Sequence, residues 1–184
     1  MKSYLITDPE YYNDITSFTD YLTDIYQNKK PSFAVFRDKT GKNFEETAKN
    51  FVTISKYFSI EKILINKDIK LAKKLGADGV HLTSSQFDKI VFAKKLGLFV
   101  IISTHTLKEA LLAQRLKADA ITYSPVFYTP NKGKPKGEKK LKEVIKSIDI
   151  KCFALGGITG QKEIDICKKC GCYGFASIRY FVKQ

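Results

Sequence analysis

Apolar positions along this chain follow two rhythms. In eight short runs, among them "FAVF", "KILI", "AITY" and "KCFAL", nearly every position is apolar. A strand covered on both faces reads this way, because alternate side chains point to opposite sides and both sides meet apolar neighbours. These runs predict strands over Ser3–Thr7, Ser32–Phe36, Lys62–Ile65, Gly79–Leu82, Phe99–Ser103, Ala120–Tyr123, Lys151–Leu155 and Gly174–Ser177. Between them apolar residues return every three or four positions, the spacing of one helix face. Helices are predicted over Thr16–Gln27, Phe44–Tyr57, Asp68–Leu75, Gln86–Leu96, Leu107–Leu116, Glu138–Ser147 and Gln161–Cys170.

One junction recurs, as "LAKKLGADGVHL" from Leu71, "FAKKLGLFVII" from Phe92, "LAQRLKADAITY" from Leu112 and "ICKKCGCYGFAS" from Ile166. Each is a basic helix end, usually a Gly, and then an apolar run. Gly accepts the left-handed conformation that closes a helix, and lysine suits the helix's negative end. A leucine-rich repeat has a similar period, but its leucine ladder and Asn are missing. Alternating strands and helices instead favour right-handed βαβ units around a parallel sheet. Eight strands with seven intervening helices predict an α/β chain forming a single (β/α)8 TIM barrel over residues 1–184, its last helix truncated because little chain follows Ile178. An open doubly wound sheet ranks second.

In such a barrel the strand C-termini and the loops after them form the active face. That rule selects Arg37 and Lys39 after strand 2, Asn66 and Lys67 after strand 3, and His81 and Ser84 around strand 4. It adds Ser103 and His105 at strand 5, Thr129 to Lys136 after strand 6, Gly156 and Gly157 after strand 7, and Ser177 with Ile178 at strand 8. The glycines of "ALGGITG" let a backbone approach a ligand closely and offer its N–H groups to an anion, and "GFASIR" after strand 8 repeats the opportunity. Gly-Gly is equally compatible with a plain tight turn. Arg37, Lys39 and Lys132 form a second basic cluster, which suits two phosphorylated ligands or one ligand bearing a diphosphate. His81 in "GVHL" is read mainly as packing. His105 is an acid–base candidate beside a helix whose Thr106 and Glu109 predict a capping box.

Charge changes this picture little. The chain of 184 residues carries a formal +13, almost all of it lysine, since Arg37, Arg115 and Arg179 are its three arginines. Most lysines fall on solvated helix faces, without the interleaved arginine and aromatics expected of a nucleic-acid surface. No nucleic-acid partner is therefore expected. No apolar run reaches membrane length and the N-terminus lacks an apolar leader, so no membrane partner is expected and the cytoplasm is the expected compartment. Cys152, Cys167, Cys170 and Cys172 read as free buried thiols, because "CKKCGC" is only half of a zinc site.

Taken in order, "YLITD", "AVFRDK", "ILINKDIKLAKKLGADGVHL", "IISTHTLKEA", "ADAITYSPVFYTPNKG", "FALGGIT" and "GFASI" resemble the thiamine phosphate synthase family, with its related thiazole tautomerases, over nearly the whole chain. The resemblance implies a (β/α)8 barrel. Its synthases join hydroxymethylpyrimidine diphosphate to thiazole phosphate with Mg2+ assistance. It implies that Arg37, Lys39, Asn66 and Lys132 contact the diphosphate and that Ser103 lies on the pyrimidine side. Thr129, Gly157 and Ser177 would lie where the thiazole phosphate is held.

The family's strand-3 Asn-Asp is here Asn66-Lys67, and its Gly-Gln-x-Asp after strand 4 is Thr83-Ser84-Ser85-Gln86, so both carboxylates expected to hold Mg2+ are absent. Val35 replaces a glutamine before the Arg-x-Lys, and Pro125 stands where the tautomerase histidine would be. A lysine in place of a carboxylate reverses the field that attracts the metal.

The catalytic candidates are therefore His105, Lys132 and Ser103. The ligand candidates are Arg37, Lys39, Asn66, Lys67, Thr129, Asn131, Gly156, Gly157, Ser177 and Ile178, with no metal ligand assigned. The expected partner is a small phosphorylated heterocyclic substrate, and a homodimer is compatible with the reading. Metal-independent thiazole tautomerisation leads, Mg2+-dependent coupling is the alternative, and a non-catalytic binder of thiamine intermediates is a third reading.

Overall fold

The computed structural model describes residues 1–41 and 43–182. Eight strands follow one another around a closed barrel: β1 Lys2–Ile6, β2 Phe33–Phe36, β3 Lys62–Asn66, β4 Gly79–Leu82, β5 Phe99–Thr104, β6 Ala120–Tyr123, β7 Lys151–Leu155 and β8 Gly174–Ser177. Every neighbouring pair is parallel, and β8 closes on β1 through Ser3 opposite Phe175 and Tyr4 opposite Ala176. Parallel strands need a crossover each, and seven helices supply them. They are α1 Ile15–Lys29, α2 Phe44–Tyr57, α3 Ile69–Lys74, α4 Ile90–Lys95, α5 Leu107–Arg115, α6 Gly137–Ser147 and α7 Gln161–Lys169.

Strand parity separates two cores. Outward residues such as Leu5, Phe36, Ile65, Ile102 and Ile121 pack with Phe18, Leu22, Phe51 and Ala113 of the helices. Inward residues, Tyr4, Phe33, Val35, Leu64, Ile101 and Phe153 among them, fill the barrel itself. Both faces are apolar because both are covered, which is why the strand runs look continuous. The ring of Phe153 needs the space left by Gly174, where a Cβ would come within 2.5 Å of it.

The recurring junction is a Schellman turn. At the end of α3, Ala77 N–H reaches Ala72 O and Gly76 N–H reaches Lys73 O; the same pair of bonds closes α4, α5 and α7. After α5 the left-handed residue is Lys117 rather than a glycine. Two of these junctions end in an aspartate that ties strands together. Asp78 accepts from Ile63 N–H at 2.8 Å, and Asp119 accepts from Val100 N–H at 2.7 Å.

One expectation needs correction, and one takes a definite form. The fourth helix is a single 3-10 turn, Phe87–Lys89, followed by a short α4, because Gln86 folds back to accept from Thr83 N–H. The truncated last helix is a turn over residues 179–181, closed by Phe181 N–H on Ile178 O. No helix among the described residues is long and apolar enough to cross a membrane.

Candidate active site

The mouth is built from side chains at strand ends whose backbones are pinned by neighbours. Thr7, just past β1, donates its hydroxyl to Arg37 O at 3.1 Å and accepts from Arg37 N–H at 2.8 Å. Arg37 is thereby fixed at the end of β2, and its guanidinium pairs with Asp8 at 2.6 Å, both side chains half-buried. Lys39 follows on the same loop. Its ammonium loses its proton more easily than usual, chiefly because of the Arg37 charge, then through partial burial, then through Lys132 and Lys67, with Asp8 opposing. Cations from three loops therefore share one field.

Asn66 donates its side-chain amide to His81 O at 3.1 Å, and Lys67 N–H reaches the same carbonyl. Lys67 sits in the left-handed region at φ 65°. His81 is buried inside the barrel, between Tyr4 and Ser103. Burial, and then the charge of Arg37, lowers its pKa to about 4. His105 lies at the rim, half-buried; its Nδ1 is 2.9 Å from Ser124 O and 3.3 Å from Ser124 Oγ. A carbonyl only accepts, so Nδ1 carries the proton and Nε2 keeps a free lone pair. The expected capping box is present: Glu109 accepts from Thr106 N–H and from His105 N–H, which fixes the backbone of His105.

The loop after β6 has a closed stem and an open tip. Val126 N–H bonds Leu155 O and Phe127 N–H bonds Gly156 O, so the β6–β7 ladder continues past the strands. Lys136 and Gly137 donate back to Pro125 and Val126, leaving an exposed tip that carries Asn131 (φ 60°), Lys132 and Lys134. Gly156 and Gly157 have a reason to be glycine besides a ligand. Both have positive φ, and a Cβ on Gly157 would lie 2.4 Å from Tyr128 O, on Gly156 2.8 Å from Pro125 Cα. The pair lets the lysine-bearing loop pack directly on the end of β7. Thr129 Oγ1 is bonded to Phe127 O.

Among the described residues, the N–H groups of Gly157, Ile158 and Ile178 have no acceptor within the chain. Ser177 faces outward: its hydroxyl donates to Ile158 O at 2.7 Å and accepts from Tyr180 N–H. It ties loop 7 to loop 8 and has no proton left for a ligand. Glu163 accepts from Gly160 N–H at 3.0 Å, so the start of α7 already has a carboxylate of its own.

Sequence reasoning missed Asp8, Thr7 and Tyr4. Asp8 stands immediately beyond β1, where the rule that selected the other candidates applies equally, but nothing in "YLITD" shows that its partner is 29 residues away.

Mg2+ requires hard oxygen ligands, usually carboxylates. Beside Asn66 stand the Lys67 ammonium and Gln86, whose amide donates to Lys67 O at 3.2 Å. The nearby carboxylates are engaged: Asp68 accepts from Leu71 N–H as the α3 cap, Asp8 holds Arg37, and Asp88 pairs with Lys89. No group of three or more His, Cys, Asp or Glu among the described residues is arranged to hold a metal. The residues present do not fit Mg2+. The four cysteines are free buried thiols grouped around α7.

A profile of the family described as thiamine monophosphate synthase matches residues 3–181. The chain belongs to the thiamine monophosphate synthase family. It is 36% identical to the "Putative thiamine-phosphate synthase 2" of Aquifex aeolicus, over 99% of this chain and 98% of that one. It is 25% identical to the same organism's thiamine-phosphate synthase 1, over 94% of this chain and 81% of that one. The thiamine phosphate pyrophosphorylase of Pyrococcus furiosus superposes with a TM-score of 0.79 at 24% identity, over 96% of this chain and 85% of that one, a likeness of fold. The family places the chain in thiamine biosynthesis.

Proposed function

We propose that this chain acts on a thiazole phosphate by metal-independent proton transfer, as a thiazole tautomerase. The observation carrying the reading is a free imidazole Nε2 at the rim of a mouth that also carries a cluster of cations, with Lys67 and Gln86 at positions where carboxylates are replaced. The phosphate would sit against the N–H groups of Gly157 and Ile178, with Lys132 closing from the loop above. His105 would take a proton from one carbon of a thiazole carboxylate phosphate and return it at another, leaving the aromatic ring. Nothing is oxidised and no group departs, so no metal is needed to neutralise a leaving group.

One observation favours the second reading, coupling to hydroxymethylpyrimidine diphosphate. Arg37, Lys39, Lys67 and Lys132 together offer more positive charge than a phosphate monoester needs, even after Asp8 offsets one of them. Relatives bear the synthase name.

One experiment separates them. The chain is incubated in D2O with the thiazole carboxylate phosphate, and separately with both synthase substrates plus Mg2+ or a chelator. The tautomerase reading expects deuterium in the aromatic product, unchanged by chelator, and no diphosphate. Diphosphate release at ordinary synthase rates without deuterium uptake refutes it. Affinity without either turnover marks a binder.

A further inference from the structure

Directly beneath the mouth, inside the barrel, four polar side chains meet among apolar ones. The Tyr4 hydroxyl is 2.8 Å from His81 Nδ1. His81 Nε2 is 3.1 Å from Ser103 Oγ and 3.5 Å from Thr122 Oγ1. Tyr4, His81 and Thr122 are buried, while Ser103 is half-buried at the mouth end of β5. The proton transfer proposed above uses neither Tyr4 nor His81.

The protons of this group can be counted. Among the described residues the Tyr4 hydroxyl has His81 as its one partner. A buried donor left without an acceptor is destabilising, because its hydration is lost and nothing replaces it. With the ring proton on Nδ1, that proton would go to the phenol oxygen, and the phenol's own proton would be left without an acceptor. With Nδ1 bare, Tyr4 donates to it, and the ring proton on Nε2 is given to Ser103 Oγ. That arrangement leaves unmatched at most the Thr122 hydroxyl, whose 3.5 Å contact is at the limit of a hydrogen bond. A full bond at 2.8 Å outweighs it. The doubly protonated ring would strand the phenol as well, and burial with the Arg37 charge disfavours it.

Since Ser103 Oγ accepts from His81, its own proton is free for whatever lies above. We propose that Tyr4 and His81 are positioning residues that make Ser103 a hydrogen-bond donor on the floor of the active site, so the ligand group seated there is an acceptor, an unprotonated ring nitrogen or carbonyl oxygen of the heterocycle. The ligand half rests on the proposed reading of the mouth as the substrate site. The proton arrangement belongs to the chain alone. His105 is the internal contrast, because its bond to the Ser124 carbonyl demands the opposite tautomer.

The first test is a long-range 15N–1H correlation spectrum of the labelled chain near pH 8, where an ordinary imidazole is neutral. The chain has two histidines. One is expected as the Nε2–H tautomer, vanishing in His81→Gln, and the other as Nδ1–H. His81 observed as Nδ1–H overturns the relay whatever the substrate.

The second test titrates thiazole phosphate into the wild type, Tyr4→Phe, Ser103→Ala and the double variant. Each single change should weaken binding roughly tenfold, the worth of one hydrogen bond. Tyr4→Phe should add nothing once Ser103 is alanine. A further tenfold loss in the double variant overturns the donor role, since Tyr4 would then act through the fold. Failure of the wild type to bind overturns the proposed function and the ligand half of this inference together, while the spectrum still decides the relay.

Discussion

The two ends of this barrel carry similar residues and use them differently. At the N-terminal end charges are spent on each other. Lys2 pairs with Glu61 at 2.6 Å, Lys94 with Asp119 at 2.7 Å and Lys62 with Asp78 at 3.9 Å, while Lys73 bonds Leu96 O and Lys151 lies over the Phe99 and Tyr173 rings. A groove of about 470 Å³ opens there, lined by Lys62, Lys73, Lys94, Asp78 and Asp119. Its cations are already matched, so it reads as a feature of stability. At the C-terminal end Lys39, Lys67 and Lys132 face one another across three loops, with Asp8 committed to Arg37. Lysine count therefore says little about function, and the pairing of each lysine says a great deal.

The largest effect expected is on acidification. The pKa of His81 in the fold, about 4, lies below its unfolded value near 6.5. Between those values the unfolded chain binds more protons, so stability is full above pH 6.5 and falls as pH drops towards 4. The loss should reach about 3 kcal/mol, measured as the difference in urea midpoints between the wild type and His81→Gln across that window. A difference that does not change with pH would place a charge-tolerant environment in the barrel.

Next comes Lys132→Gln, which should weaken phosphate-ligand binding at least about tenfold with little change in melting temperature, by calorimetry and thermal unfolding respectively. Asp119→Ala should do the reverse. It removes an acceptor for Val100 N–H and a partner for Lys94, and should cost about 1–2 kcal/mol of stability while ligand affinity stays put. If both variants moved both quantities, the division between the two ends would fail. Lys134→Ala, at the exposed loop tip, should change either by less than about 0.5 kcal/mol.

Much of the fold was legible because local chemistry and tertiary position agree. The strands β4, β6, β7 and β8 and helix α2 lie where the apolar pattern puts them, since covered strands and one-sided helices leave unmistakable rhythms. The repeated basic end predicted the junctions, including one closed by Lys117 instead of glycine. What local pattern does not encode is pairing between distant segments. Tyr4 meets His81 across 77 positions, and "GVHL" announces only that the histidine is inward. Ser177 was read as a phosphate contact from its place at a strand end. Its hydroxyl donates to Ile158 O, a pairing across 19 positions that the local pattern does not announce. Gly156 and Gly157 were read with a ligand in mind, whereas their tightest neighbours are residues of the loop after β6.

The central claim is that the mouth's unspent cations and loop amides hold one phosphorylated guest. A crystal structure of the chain soaked with thiazole phosphate tests it most directly. The account predicts phosphate density at the N–H groups of Gly157 and Ile178, with Lys132 closed over it and the heterocycle above Ser103. Density in the groove between Lys73 and Lys94, with the mouth left to solvent, would contradict it.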